Sequence, residues 1–124
     1  MHILKQSELD KDVVRQQVGA LADLQYNWNS YGALPPTLDA IRHAIRWLNQ
    51  FFSLCQETHI LWCKPNVSAS AEGEVVFEWW DKCRTLSVYI DADEATFHKS
   101  QYSDGQTVHA HGNAWTDLAL TLSL

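Results

Sequence analysis

Val75-Val76-Phe77-Glu78-Trp79-Trp80-Asp81-Lys82-Cys83-Arg84-Thr85-Leu86-Ser87-Val88-Tyr89-Ile90 is the stretch whose reading decides the fold. Side chains along a strand alternate between two faces, so its period-2 pattern marks two half-buried strands. Val75, Phe77 and Trp79 share one face, while Val76, Glu78 and Trp80 share the other. Asp81-Lys82 reads as a tight reversal. In the return run Leu86, Val88 and Ile90 face one way, and Thr85, Ser87 and Tyr89 the other.

The same alternation continues on both sides. Upstream, Asn66 to Ser70 reads as a weak strand that turns at Glu72-Gly73. Downstream, Asp91-Ala92-Asp93-Glu94 turns the chain. Thr96 to Tyr102 and Thr107 to His111 follow, joined across Asp104-Gly105, a strong hairpin signal. Short turns between consecutive strands predict an antiparallel meander of four to five strands, packed on one face and solvated on the other. His59 to Cys63 reads as an extra strand or a buried connection. Asn113 could cap a short final helix carrying Trp115, Leu118, Ala119 and Leu122; the terminal Leu-Thr-Leu-Ser-Leu could equally be an edge strand.

Before the strands the period is helical. Ser7 to about Gln25 is read as an amphipathic helix capped by Ser7, with Leu9, Val13, Val14, Val18, Leu21 and Leu24 as its apolar positions. Thr37 caps a second helix whose stripe is Leu38, Ile41, Ile45, Leu48 and Phe52. Trp47 and Phe51 widen that stripe and are expected to pack under the sheet. The expected class is therefore α+β, with two N-terminal helices on one face of the meander, in a single domain over residues 1–124.

The ten residues from Asn27 to Pro36 separate the helices, and the Asn, Gly and Pro content forbids a continuous helix. Trp28-Asn29-Ser30-Tyr31-Gly32-Ala33-Leu34-Pro35 resembles the Trp-Asp-Ser/Gly-x-Gly-Ala-x-Pro motif of a set of small uncharacterised bacterial and phage α+β proteins. Those also place the motif between two helices and follow it with a Gly-turned meander. Some members sit beside toxin-like or defence genes, so the resemblance implies an antitoxin-like or inhibitory role. Asn29 stands where the family carries Asp, so any role of that carboxylate is missing here. The motif also has a physical reading: Asn27 and Asn29 make Asx turns, Gly32 supplies positive φ, and Trp28 and Tyr31 plug the gap between helices and sheet. The alternative is that the loop presents Trp28 and Tyr31 to a partner.

Composition excludes several function classes. With 15 acidic against 9 basic residues the formal charge is −6, and Lys64, Lys82, Arg84 and Lys99 are scattered, so nucleic acid is not an expected partner. No run of 18 apolar residues or signal-peptide pattern is present, so neither a membrane span nor export is expected. Three cysteines without CxxC spacing suit a reducing, cytoplasmic setting better than a disulfide scaffold.

Catalytic signals are weak. His109 and His111, two apart on one predicted strand, share a face, and His98 lies on the neighbouring strand. Three imidazoles could hold Zn²⁺ with a fourth position open. No HExxH or paired cysteines accompany them, so a solvated sheet face is the preferred reading and no metal or other cofactor is expected. Asp91-Ala92-Asp93-Glu94 lacks the Gly and the distal Glu of a calcium loop. Cys63 or Cys83 as nucleophile would need a positioned base. Not an enzyme, the chain is read as a protein-binding module. Its expected contact residues are Trp80, Tyr89, Val76 and Glu78 on the sheet, with Trp28 and Tyr31 on the loop. Six tryptophans in 124 residues supply the aromatic surplus that such interfaces use. The rival readings are a His-cluster metalloenzyme, a homodimeric structural subunit, and a C-terminal segment with Trp115 that covers the aromatic face.

Overall fold

A computed structural model describes residues 3–59 and 63–116. The elements run α1 (Ile3–Ala20), a 3-10 turn (Leu21–Asp23), α2 (Leu38–Glu57), then β1 (Asn66–Ala69), β2 (Val75–Asp81), β3 (Arg84–Ile90), β4 (Ala95–Ser103) and β5 (Gln106–Asn113). All five strands form one antiparallel sheet in the order β1-β2-β3-β4-β5, an uninterrupted meander. α2 lies over β2 and β3, while α1 packs on α2 and reaches β1. The α+β class and the N-terminal placement of the helices are as the sequence predicts.

Ser7 does not cap α1. The helix begins before it, at Ile3, and gives way at Ala20 to the 3-10 turn rather than running to Gln25. Its inward positions are Val14 and Val18, with Leu21 packed against the core, one i, i+4, i+7 line. Leu9 and Val13 lie off that line and stay exposed. Thr37 caps α2 as expected, its Oγ1 accepting from Ala40 N at 3.0 Å. The buried face of α2 is wider than the apolar stripe: it includes His43, Ala44, Trp47 and Phe51, whereas Leu38 is exposed.

Trp47 is the centre of the core. Its ring meets Phe51, Phe77 and Trp79 at centroid distances of 4.8, 5.7 and 6.4 Å. Such pairs add about 0.5–1.5 kcal/mol beyond the area they bury. The indole N–H, which cannot be left unpaired in a dry interior, donates to Ala114 O at 3.1 Å. Around these rings the buried residues Val75, Phe77, Leu86, Val88, Ile90, Ala95 and Phe97 come from alternate positions of β2, β3 and β4, which is the helix-facing side of the sheet.

The turns follow their sequence chemistry. Ser103 pairs with Gln106 across Asp104-Gly105, and both loop residues have positive φ (52° and 77°), as a two-residue hairpin of right-handed twist requires. The β2–β3 reversal falls on Lys82-Cys83, one residue later than expected, because Asp81 is still paired with Arg84. Asp91 Oδ1 accepts from Asp93 N and Glu94 N, so Asp91-Ala92-Asp93-Glu94 is a side-chain-braced turn. Asn113 Oδ1 accepts from Trp115 N and Thr116 N at 2.8 and 2.9 Å, capping a turn over the next residues. The continuation through Leu118, Ala119 and Leu122, and the middle of the His59 to Cys63 stretch, lie outside the described residues.

Candidate protein-binding face

β-Pairing sets the side chains of the helix-free sheet face in rows across the strands. One row runs Ser68, Val76, Tyr89, Thr96, Asn113; the next runs Asn66, Glu78, Ser87, His98, His111; the third runs Trp80, Thr85, Ser100, His109. No helix among the described residues packs on this side. Trp115 does not cover it either: its indole bonds to His43 of α2, on the opposite side of the sheet.

Trp80 is 61% exposed at the end of β2, and Tyr102 and His98, His109 and His111 are also exposed. Tyr89 and Glu78 are half-buried. The Tyr89 and His98 rings are nearly perpendicular, with centroids 5.7 Å apart. Thr85 Oγ1 and Ser100 Oγ share a 2.5 Å hydrogen bond across β3 and β4 beside Trp80. Val76 is a correction to the expected contact set. It is only 5% exposed, a short side chain on an interior strand between Ser68 and Tyr89, and it has little surface to offer.

Rim charge is already committed. Asp81 bonds to Arg84, and the Asp91 carboxylate is used by its own turn. Glu78 is the one carboxylate in these rows, so the face is aromatic and polar rather than charged, although the chain as a whole is acidic.

The loop between the helices is built as its Asn and Gly content implies. Asn27 Oδ1 accepts from Gly32 N at 2.6 Å, and Asn29 Oδ1 accepts from Tyr31 N and Ala33 N. Asn27, Ser30 and Gly32 all have positive φ. The loop docks on the β1–β2 turn: Leu34 N donates to Ala71 O at 2.9 Å, with a parallel bridge between Leu34 and Glu72. Trp28 is half-buried with its N–H on Leu34 O. Tyr31 fills no gap between helices and sheet. It is 91% exposed, because the turn that satisfies the backbone N–H groups throws its ring outward. Tyr26, Leu34 and Leu38 are exposed near it in sequence, a display that periodicity alone did not reveal.

The six expected contact residues therefore do not form one patch. The loop is tied to the turn before β2, whereas Trp80 stands at its far end, about 17 Å away at the usual strand rise. The three histidines do share one face. His98 stands directly opposite His111, with rings 5.9 Å apart and 22° from parallel, while His109 lies one row on, opposite Ser100. Among the described residues, no three His, Cys, Asp or Glu side chains are grouped closely enough to hold a metal ion as they stand. No described helix is long and apolar enough to cross a membrane. No protein-family model, curated protein or solved structure shows a significant match to this chain.

Proposed function

We propose that this chain is a non-enzymatic protein-binding module whose helix-free sheet face docks a protein partner. The observation that carries the reading is Trp80. A large indole stands mostly in solvent on a sheet face that no described helix covers. Trp is enriched among residues that dominate binding energy, because one ring removes much apolar area from water at small entropic cost. The half-buried Tyr89 and Glu78 give that centre a partly polar surround. An antitoxin-like neutraliser, or a phage-encoded inhibitor of a host enzyme, fits a small acidic domain of this kind. Free Cys55, Cys63 and Cys83 support a reducing, cytoplasmic setting.

The test is capture of a partner in the native host, followed by reconstitution with that purified partner. Trp80→Ala is expected to weaken the complex by about 2 kcal/mol or more while the fold and thermal midpoint hold. A complex that forms equally well with Trp80→Ala and Tyr89→Ala would remove the sheet face from the reading. Light scattering of the protein alone separates a heterologous partner from a second copy.

A further inference from the structure

We infer that the cross-strand pair His98 and His111 is a binding site for a borderline divalent cation such as Zn²⁺, with His109 as a third imidazole. The inference does not rest on the partner-binding reading.

Register is the first observation. His98 on β4 and His111 on β5 are direct partners, so their Cβ atoms lie roughly 4.5–5.5 Å apart. Their rings already stand side by side, with centroids 5.9 Å apart. Two imidazoles sharing a Zn²⁺ at about 2.0–2.1 Å and a tetrahedral angle put their centroids about 5 Å apart. The difference is about an ångström, within the reach of side-chain rotation at exposed positions.

Periodicity is the second. His109 is two residues from His111, so it points to the same face and sits diagonally from His98. Diagonal neighbours lie roughly 7–8 Å apart between Cα atoms, within reach of long side chains. A rotation of the exposed His109 ring would bring a third nitrogen to the pair, which the present rotamer does not do. Three imidazoles from two paired strands and water in the fourth position complete a tetrahedral shell.

Availability is the third. No hydrogen bond holds the described side chains of His98, His109 and His111, and all three are exposed. The contrast is His43, whose two ring nitrogens are both engaged, on Asp91 O and on the Trp115 indole. Tyr89, edge-on to His98, restricts that ring on the side away from His111 and so favours the paired arrangement.

Zn²⁺ and Co²⁺ titrations of the full chain test the site. The protein carries no affinity tag and has Cys63→Ser and Cys83→Ser, which remove the exposed thiols as rival ligands. One ion per chain is expected, with Co²⁺ giving a visible absorption band of low-symmetry or tetrahedral nitrogen coordination. His98→Ala and His111→Ala should each weaken binding about tenfold or more, since even second-shell losses cost that much. His109→Ala should weaken it less, and Trp80→Ala should leave it unchanged. Circular dichroism verifies that each variant is folded. Absence of saturable binding, or equal binding by the His98→Ala/His111→Ala double variant, overturns the site. Unchanged binding by His109→Ala reduces it to a two-imidazole chelate and overturns the third ligand.

Discussion

Trp115 donates its indole N–H to His43 Nε2 at 2.6 Å, and this bond joins the end of the sheet to the second turn of α2. The ring planes are 5° apart, with centroids at 5.8 Å, so the donor meets the imidazole lone pair edge-on. His43 Nδ1 lies 2.7 Å from Asp91 O, a carbonyl that can only accept. Indole can only donate. The two neighbours therefore fix one neutral tautomer, with the proton on Nδ1. Trp115→Phe keeps most of the ring area but leaves the buried Nε2 without a donor. It should cost about 1–3 kcal/mol in urea unfolding. His43→Ala, which orphans two partners and empties a buried site, should cost more. Imidazole ¹⁵N shifts report the tautomer directly.

Core and face tryptophans should separate cleanly. Trp47 is fully buried among Phe51, Phe77 and Trp79, so Trp47→Ala is expected to cost about 3–5 kcal/mol. Trp80 is mostly solvated, and Trp80→Ala should change stability by about 0.5 kcal/mol or less. Urea midpoints of the two variants check the contrast. A large loss of stability at Trp80 would mean the ring is packed rather than offered.

The inter-helix loop should tolerate an Asp at position 29 and resist an Ala. Asn29 serves through one carbonyl oxygen, which accepts from Tyr31 N and Ala33 N. Asn29→Asp keeps an acceptor in that place and should leave thermal unfolding close to wild type. Asn29→Ala removes both bonds and should cost about 1–2 kcal/mol.

Two glycines at positive φ should differ in their response to a methyl group. Gly105 (φ 77°) faces open space, so Gly105→Ala meets only the left-handed penalty of about 1–2 kcal/mol. Gly73 (φ 84°) lies against the loop, and an added Cβ would stand 3.1 Å from Pro35 O. Gly73→Ala should therefore be the more destabilising, and it should loosen the docking of the loop on the β1–β2 turn. Hydrogen exchange at Leu34 N, which bonds to Ala71 O, reads that docking.

Burial of Cys55, and secondarily the neighbouring Cys63, push its thiol from 9.0 up to about 11. A raised pKa means that the folded state holds the proton more tightly than the unfolded chain. The associated stability is fully present below about pH 9 and is lost as pH rises toward about 11. Denaturant titrations across that window should show alkaline destabilisation that is smaller in Cys55→Ala, measured relative to each protein at neutral pH. At neutral pH an alkylating reagent should modify the exposed Cys63 and Cys83 and spare Cys55. Peptide mass mapping gives the result.

Much of this protein was legible one residue at a time. Alternation in Val75 to Ile90 fixed the two faces of the central hairpin, because side chains of a strand repeat every two residues. Asp104-Gly105, Gly73 and Thr37 placed turns and a cap, because these depend on local φ and a nearby donor. Other properties needed neighbours distant in the chain. Tyr31 points to solvent because of how Asn29 closes its turn. Val76 is buried where β2 runs between Ser68 and Tyr89, and His43 is buried because the end of β5 returns to α2. Opposition of His98 and His111 also belongs to the tertiary structure, since pairing register is a relation between two strands. Sequence determined which residues can share a face; only the packed chain decided which of them meet, because burial and register are set jointly by all the strands and helices that close the core.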